Sequence, residues 1–188
     1  MPDRLFLSLW VRDFDAGTML RHFEELLHLF PFTQLRPGVS ALKIYALEFV
    51  EPALLDHAFA DLTDSETVIG LCREFENPDC AYLLEGWWDL WKRRPDGWKL
   101  AASPVTLACF GPQFDNSEGD NLRIQVGEDE DFLPRPDDPD SMRMAHSNLM
   151  SVVRLAREIE QGMPIVRRAL WSESGENFAE RLDEALSE

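Results

Sequence analysis

The sequence predicts an α+β fold: a mostly antiparallel sheet of about five strands with helices packed on it. Three observations point there. Strand-length runs of apolar or alternating residues are interleaved with amphipathic stretches of helical period. A long tryptophan-rich hairpin, Cys80 to Pro112, sits at the centre of the chain. The first half reads strand, helix, strand, short strand, helix, strand, which is the ferredoxin-like order.

The hairpin organises the rest. It holds four of the six tryptophans, Trp87, Trp88, Trp91 and Trp98. Arg94-Pro95-Asp96-Gly97 is turn chemistry: Pro presets φ, and Asp and Gly tolerate the reversal. Strand alternation places Tyr82, Leu84, Trp88 and Leu90 on one face, predicted to be core, and Glu85, Trp87, Asp89 and Trp91 on the other. The second set alternates carboxylate with indole, and it carries two readings. One is a sheet face partly covered by a helix, its carboxylates at a wet margin or paired to Arg93 and Lys99. The other is an aromatic platform that binds a cation or a sugar. Pro104 cannot donate to a ladder, so a bulge or edge is expected there, with the strand restarting at Val105 to Phe110.

Before the hairpin, Leu5 to Val11 reads as a central strand. Leu5, Leu7, Leu9 and Val11 form one face, and Phe6 and Trp10 the other, which suggests cover on both sides. Asp13 or Asp15 caps a helix striped by Met19, Leu20, Phe23, Leu26, Leu27 and Phe30 and stopped by Pro31. A second strand is expected over Val39 to Val50, and Ala53 to Ala60 is a short strand or helical turn. Thr63 to Glu66 fits a capping box for a helix ending at Asn77-Pro78. After the hairpin come a half-buried strand at Leu122 to Val126 and a proline-rich loop, Pro134 to Pro139. A long helix follows from Asp140 to about Gln161, then the ambiguous segment Ile165 to Trp171 and a last helix capped by Ser174. The whole is read as one domain, residues 1–188, with possible sub-structure at 1–93 and 94–188.

Charge sets the class of partner. The chain has 18 basic and 35 acidic residues, a net −17. Such a surface repels phosphate backbones and anionic lipid, which argues against nucleic acid and membrane, and it attracts basic proteins. The segment 115–140 holds ten acidic residues and two basic ones. Its run Glu128-Asp129-Glu130-Asp131 is a candidate acidic interaction surface, or else a solvated strand end. The basic residues collect at the hairpin tip (Lys92, Arg93, Arg94, Lys99) and late in the chain. Three widely spaced cysteines in apolar neighbourhoods read as buried reduced thiols, and so as a cytoplasmic protein. The first residues are too short an apolar run for a signal peptide.

Motifs for chemistry are lacking. The ten glycines are never closer than eight residues, so no phosphate loop exists. No zinc spacing and no nucleophile elbow occurs, and the loop at Asp115 to Asn121 fails the calcium-loop pattern at its sixth and twelfth positions. His57 and His146 could meet only through the fold, where with a cysteine they would make a His–His–Cys site. No catalytic residue, metal or cofactor is assigned. The expectation is a non-catalytic acidic domain that binds a basic protein. The alternative is a sugar- or cation-binding protein, or an enzyme, that uses Glu85, Trp87, Asp89 and Trp91.

Overall fold

In the computed structural model, which describes residues 3–60 and 62–174, the elements follow in the order β1 (Arg4–Val11), α1 (Met19–Leu29), β2 (Ala41–Ala46), β3 (Leu55–Ala58), α2 (Ser65–Glu74), β4 (Cys80–Arg94), β5 (Gly97–Phe110), β6 (Leu122–Glu128), α3 (Ser141–Gly162) and β7 (Ile165–Ser172). The helix expected after Ser174 lies outside the described residues. Strands from both halves form one seven-stranded sheet, ordered β3-β2-β4-β5-β6-β1-β7, two strands more than expected. The ambiguous Ile165 segment is the edge strand β7.

The first-half element order is as read, but its pairing is not ferredoxin-like. That unit sets its first strand between its third and fourth strands, whereas here β1 pairs only with β6 and β7. β1 lies between β6 and β7, and β5 and β6 separate it from β4.

The faces of β4 alternate as predicted: Tyr82, Leu84, Trp88 and Leu90 are buried, while Glu85, Trp87, Asp89 and Trp91 are half-buried. The buried set joins one core with the apolar stripes of all three helices, so the helices share a single face of the sheet. The opposite face has no helix on it among the described residues. Phe6 and Trp10 of β1 point there and are half-buried. Side chains of neighbouring β7 cover them instead of a helix: Trp171 stacks on Phe6, and the Arg167 guanidinium lies 4.2 Å from the Trp10 ring.

β5 crosses Pro104 with no bulge and no register shift. Trp87, opposite Pro104, turns its carbonyl away from β5 to accept from the Thr33 N–H. The two therefore form a non-hydrogen-bonded pair. The ring nitrogen of Pro104 faces the far side of β5, beyond the stretch Thr106 to Cys109 that β6 pairs. No ladder bond is lost, so the strand continues.

Asp140 is the N-cap of α3 as expected, while the caps of α1 and α2 fall one to three residues from their expected places. Asp15 accepts from the N–H groups of Gly17 and Thr18 just ahead of α1. Asp64, not Thr63, caps α2 by accepting from Thr67 N–H at 2.8 Å. β2 is shorter than expected because Leu47, directly after it, has φ of 66°.

Candidate functional site

The antiparallel order sends four loops to one end of the sheet, the end where β1, β2 and β5 finish and β4, β6 and β7 begin. Main-chain bonds clamp three of these loops together, residues 47–54, 75–79 and 111–121, and tie the last of them to the end of β1. Leu47 N–H donates to Asp79 O at 2.8 Å, and Asp115 N–H donates to Leu47 O at 2.7 Å. Gln113 N–H donates to Pro78 O, and Asn121 N–H to Leu9 O. Residues 12–18 bring Asp13 and Asp15, 47–54 bring Glu48 and Glu51, 75–79 bring Glu76 and Asp79, and 111–121 bring Asp115 and Glu118. All eight are exposed or half-exposed, against the single base Arg12. Among them the β2–β3 loop presents Leu47, Phe49 and Val50, which are 56%, 45% and 82% exposed. Phe49 rests edge-on against Phe114 with ring centroids 4.9 Å apart. An apolar centre with a charged rim is the anatomy of a protein-binding surface.

The sequence-predicted acidic surface lies at the opposite end, since Glu128 closes β6 beside Arg4. The solvated strand end expected there is not found. Residues 129–131 form a 3-10 turn in which Asp129 and Asp131 are 7% and 6% exposed. Asp129 accepts from the N–H groups of Asp3 and Glu130. Asp131 accepts from Glu128 N–H and pairs with Lys92 at 2.5 Å. Glu130, exposed, pairs with Arg135 at 2.8 Å. Arg93 reaches Asp138 at 3.0 Å, and Asp138 also accepts from the Trp98 indole. Thus the acidic segment folds back on the basic hairpin tip, and Glu130, Asp131 and Asp138 are each held by a base. Uncompensated carboxylates gather at the far end, in loops distant from one another in sequence. No local run announces them; only strand order does.

Glu85, Trp87, Asp89 and Trp91 do line up along the helix-free face of β4, each with a partner from this chain. Lys43 holds Glu85 at 2.8 Å, rather than the Arg93 or Lys99 suggested by the sequence. Arg36 lies over the Trp87 ring at 3.7 Å. The Thr33 hydroxyl donates to Asp89. The main chain of Trp91 is held by Asn148 of α3, whose Oδ1 accepts from Trp91 N–H at 2.8 Å and whose Nδ2 donates to Trp91 O at 2.9 Å. Thr33 and Arg36 come from the α1–β2 connection, a segment with no motif in the sequence to single it out.

His57 and His146 are exposed, on β3 and α3, while Cys72, Cys80 and Cys109 are buried and free, so no His–His–Cys site forms. Among the described residues no group of three or more His, Cys, Asp or Glu side chains is arranged to hold a metal ion. Burial pushes the Cys72 thiol up to about 12 and, together with Asp79, the Cys80 thiol up to about 11. Both are poor nucleophiles near neutrality. Among the described residues no helix is long and apolar enough to cross a membrane.

Compared with known proteins, the chain matches no protein family, no curated protein and no solved structure.

Proposed function

We propose that this chain is a non-catalytic binding protein that engages a basic protein partner through the acidic end of its sheet, acting as one α+β unit. One observation carries the reading: three clamped loops carry six carboxylates, Glu48, Glu51, Glu76, Asp79, Asp115 and Glu118, beside the exposed Leu47, Phe49 and Val50. Apolar contact supplies affinity at the centre of such a patch, and the charged rim selects the sign of the partner. Three free, buried cysteines support a reducing, cytoplasmic setting. The other reading is a sugar or cation held by Glu85, Trp87, Asp89 and Trp91. It has weaker support, because Arg36 already occupies the Trp87 face and Lys43 neutralises Glu85.

The test is paired capture from lysate of the source cells, with the native chain and with Glu48→Gln/Glu51→Gln/Asp115→Asn/Glu118→Gln as baits, at low and moderate salt. A basic protein retained by the native bait, and lost both from the neutralised bait and with rising salt, is the expected result. Identical captures by the two baits would end the proposal.

A further inference from the structure

We infer that the helix-free face carries a second, separate binding site: a groove that takes a neutral planar ring bearing an amide. The groove spans β4, β5, β6, β1 and β7 and encloses about 420 Å³, within the roughly 300–1,000 Å³ of small-molecule sites. Its only member from the exposed apolar centre of the acidic end is Phe49.

The walls are aromatic. Phe6 and Trp171, registered partners on β1 and β7, stack with centroids 4.6 Å apart and planes 28° apart. Phe110 stands across from them on β5. Arg123 of β6 lies between, its guanidinium carbon 4.8 Å from the Phe110 ring and 5.3 Å from Trp171. A flat ring stacks on such walls; a puckered one of the same size loses that contact.

Charge in the groove is already matched. Arg123 is held bidentate by the fully buried Asp120, Nε to Oδ2 at 2.8 Å and Nη2 to Oδ1 at 2.6 Å. Arg4 at the rim pairs with Glu173. An ionic ligand would lose its hydration and meet no unmatched counter-charge, whereas a neutral one escapes that cost.

The floor supplies hydrogen bonds. Thr106 and Gln125 are registered neighbours on β5 and β6, both half-buried, and neither side chain bonds another described residue. A glutamine amide and a hydroxyl each offer a donor and an acceptor, which an amide edge complements on both counts. The site is also preorganised. The Trp171 indole N–H donates to Ser8 Oγ at 2.9 Å, and Ser8 in turn donates to Asp120. Trp171 therefore has little side-chain freedom left to lose on binding.

The experiment is ligand-observed saturation-transfer NMR on the full chain. Benzamide and nicotinamide are the probes; benzoate, benzylamine and cyclohexanecarboxamide are the charged and non-planar controls. Benzamide and nicotinamide are expected to bind at least about fivefold more tightly than each control. Gln125→Leu/Thr106→Val should weaken benzamide by about fivefold or more, as loss of a neutral hydrogen bond implies. Trp171→Ala should weaken it by about tenfold. If Trp171→Ala does not fold, the double variant decides, since both its positions lie on the sheet surface. Absence of saturation transfer from both amides at millimolar concentration would overturn the inference. So would amide binding that is indifferent to the double variant, or binding of benzoate or benzylamine as strong as that of benzamide. Charge neutralisation at Glu48, Glu51, Asp115 and Glu118 should leave benzamide binding unchanged.

Discussion

The buried indole N–H of Trp88 donates to the carbonyl of Val126, 2.9 Å away and 38 residues along the chain. Val126 is the extra residue of a β-bulge: β1 pairs Leu5 with Gly127 and then Phe6 with Gln125, skipping it. A bulge leaves a main-chain group outside the ladder, and here a core tryptophan supplies the missing donor. Trp88→Phe removes that donor and leaves a small void. It should destabilise the protein by about 2–3 kcal/mol, measured by chemical denaturation. An unchanged midpoint would show that water or a local shift satisfies Val126.

Asn148 is a second buried polar link. At 1% exposure it bonds both main-chain groups of Trp91 and also donates to Asp131 O. It completes the edge of β4 where no strand runs alongside. Asn148→Leu keeps the volume but strands these main-chain groups. A loss of about 2–4 kcal/mol is expected, with earlier hydrogen exchange at Trp91 than in the core of β4.

How far such contacts could be read from the sequence depends on their range. The hairpin, its turn and its two faces were legible because alternation and Pro-Asp-Gly act within a few residues. The placement of β1 between β6 and β7 was not, because many antiparallel orders bury the same stripes. The Glu128 to Asp131 run misled for a related reason: its burial is decided by Lys92 and by main-chain donors that the fold brings to it. Gly127, with φ of 150°, was the available hint of the bulge, since an isolated glycine inside a strand pattern often marks one. The groove left no local trace, being assembled from residues of five strands.

Alkaline pH should destabilise the fold. Unfolded, the cysteines ionise in the ordinary thiol range, near pH 8.5. Folded, Cys72 and Cys80 hold their protons to about 12 and about 11, and burial also raises Cys109 and Tyr82. The native state then binds more protons than the unfolded state, so stability falls as pH rises. The loss should begin above about pH 8.5 and continue through the raised values. Melting temperature followed against pH would show it, and a flat profile to pH 11 would contradict the burial of these groups. At pH 8 the native thiols should also resist a disulfide reagent until denaturant is added.

Leu47 separates stability from binding. Its φ of 66° is a left-handed conformation that costs a leucine about 1 kcal/mol or more. Both of its main-chain groups are bonded, and its side chain is mostly exposed. Leu47→Gly should therefore leave stability equal or raise it by up to about 1 kcal/mol, while weakening capture of the basic partner. Stability and capture falling together would instead mean that the side chain holds the loop.

The two ends of the sheet differ in charge: at one, many acids are paired with bases, and at the other acids stand nearly alone. The molecule therefore has an electrical long axis running with its strands. A cationic protein diffusing past experiences a torque before it makes contact, and the acidic loops are turned toward it. In the proposed binding mode such orientation would shorten the search among unproductive encounters and raise an association rate that falls with ionic strength, while the dissociation rate would stay with the apolar centre.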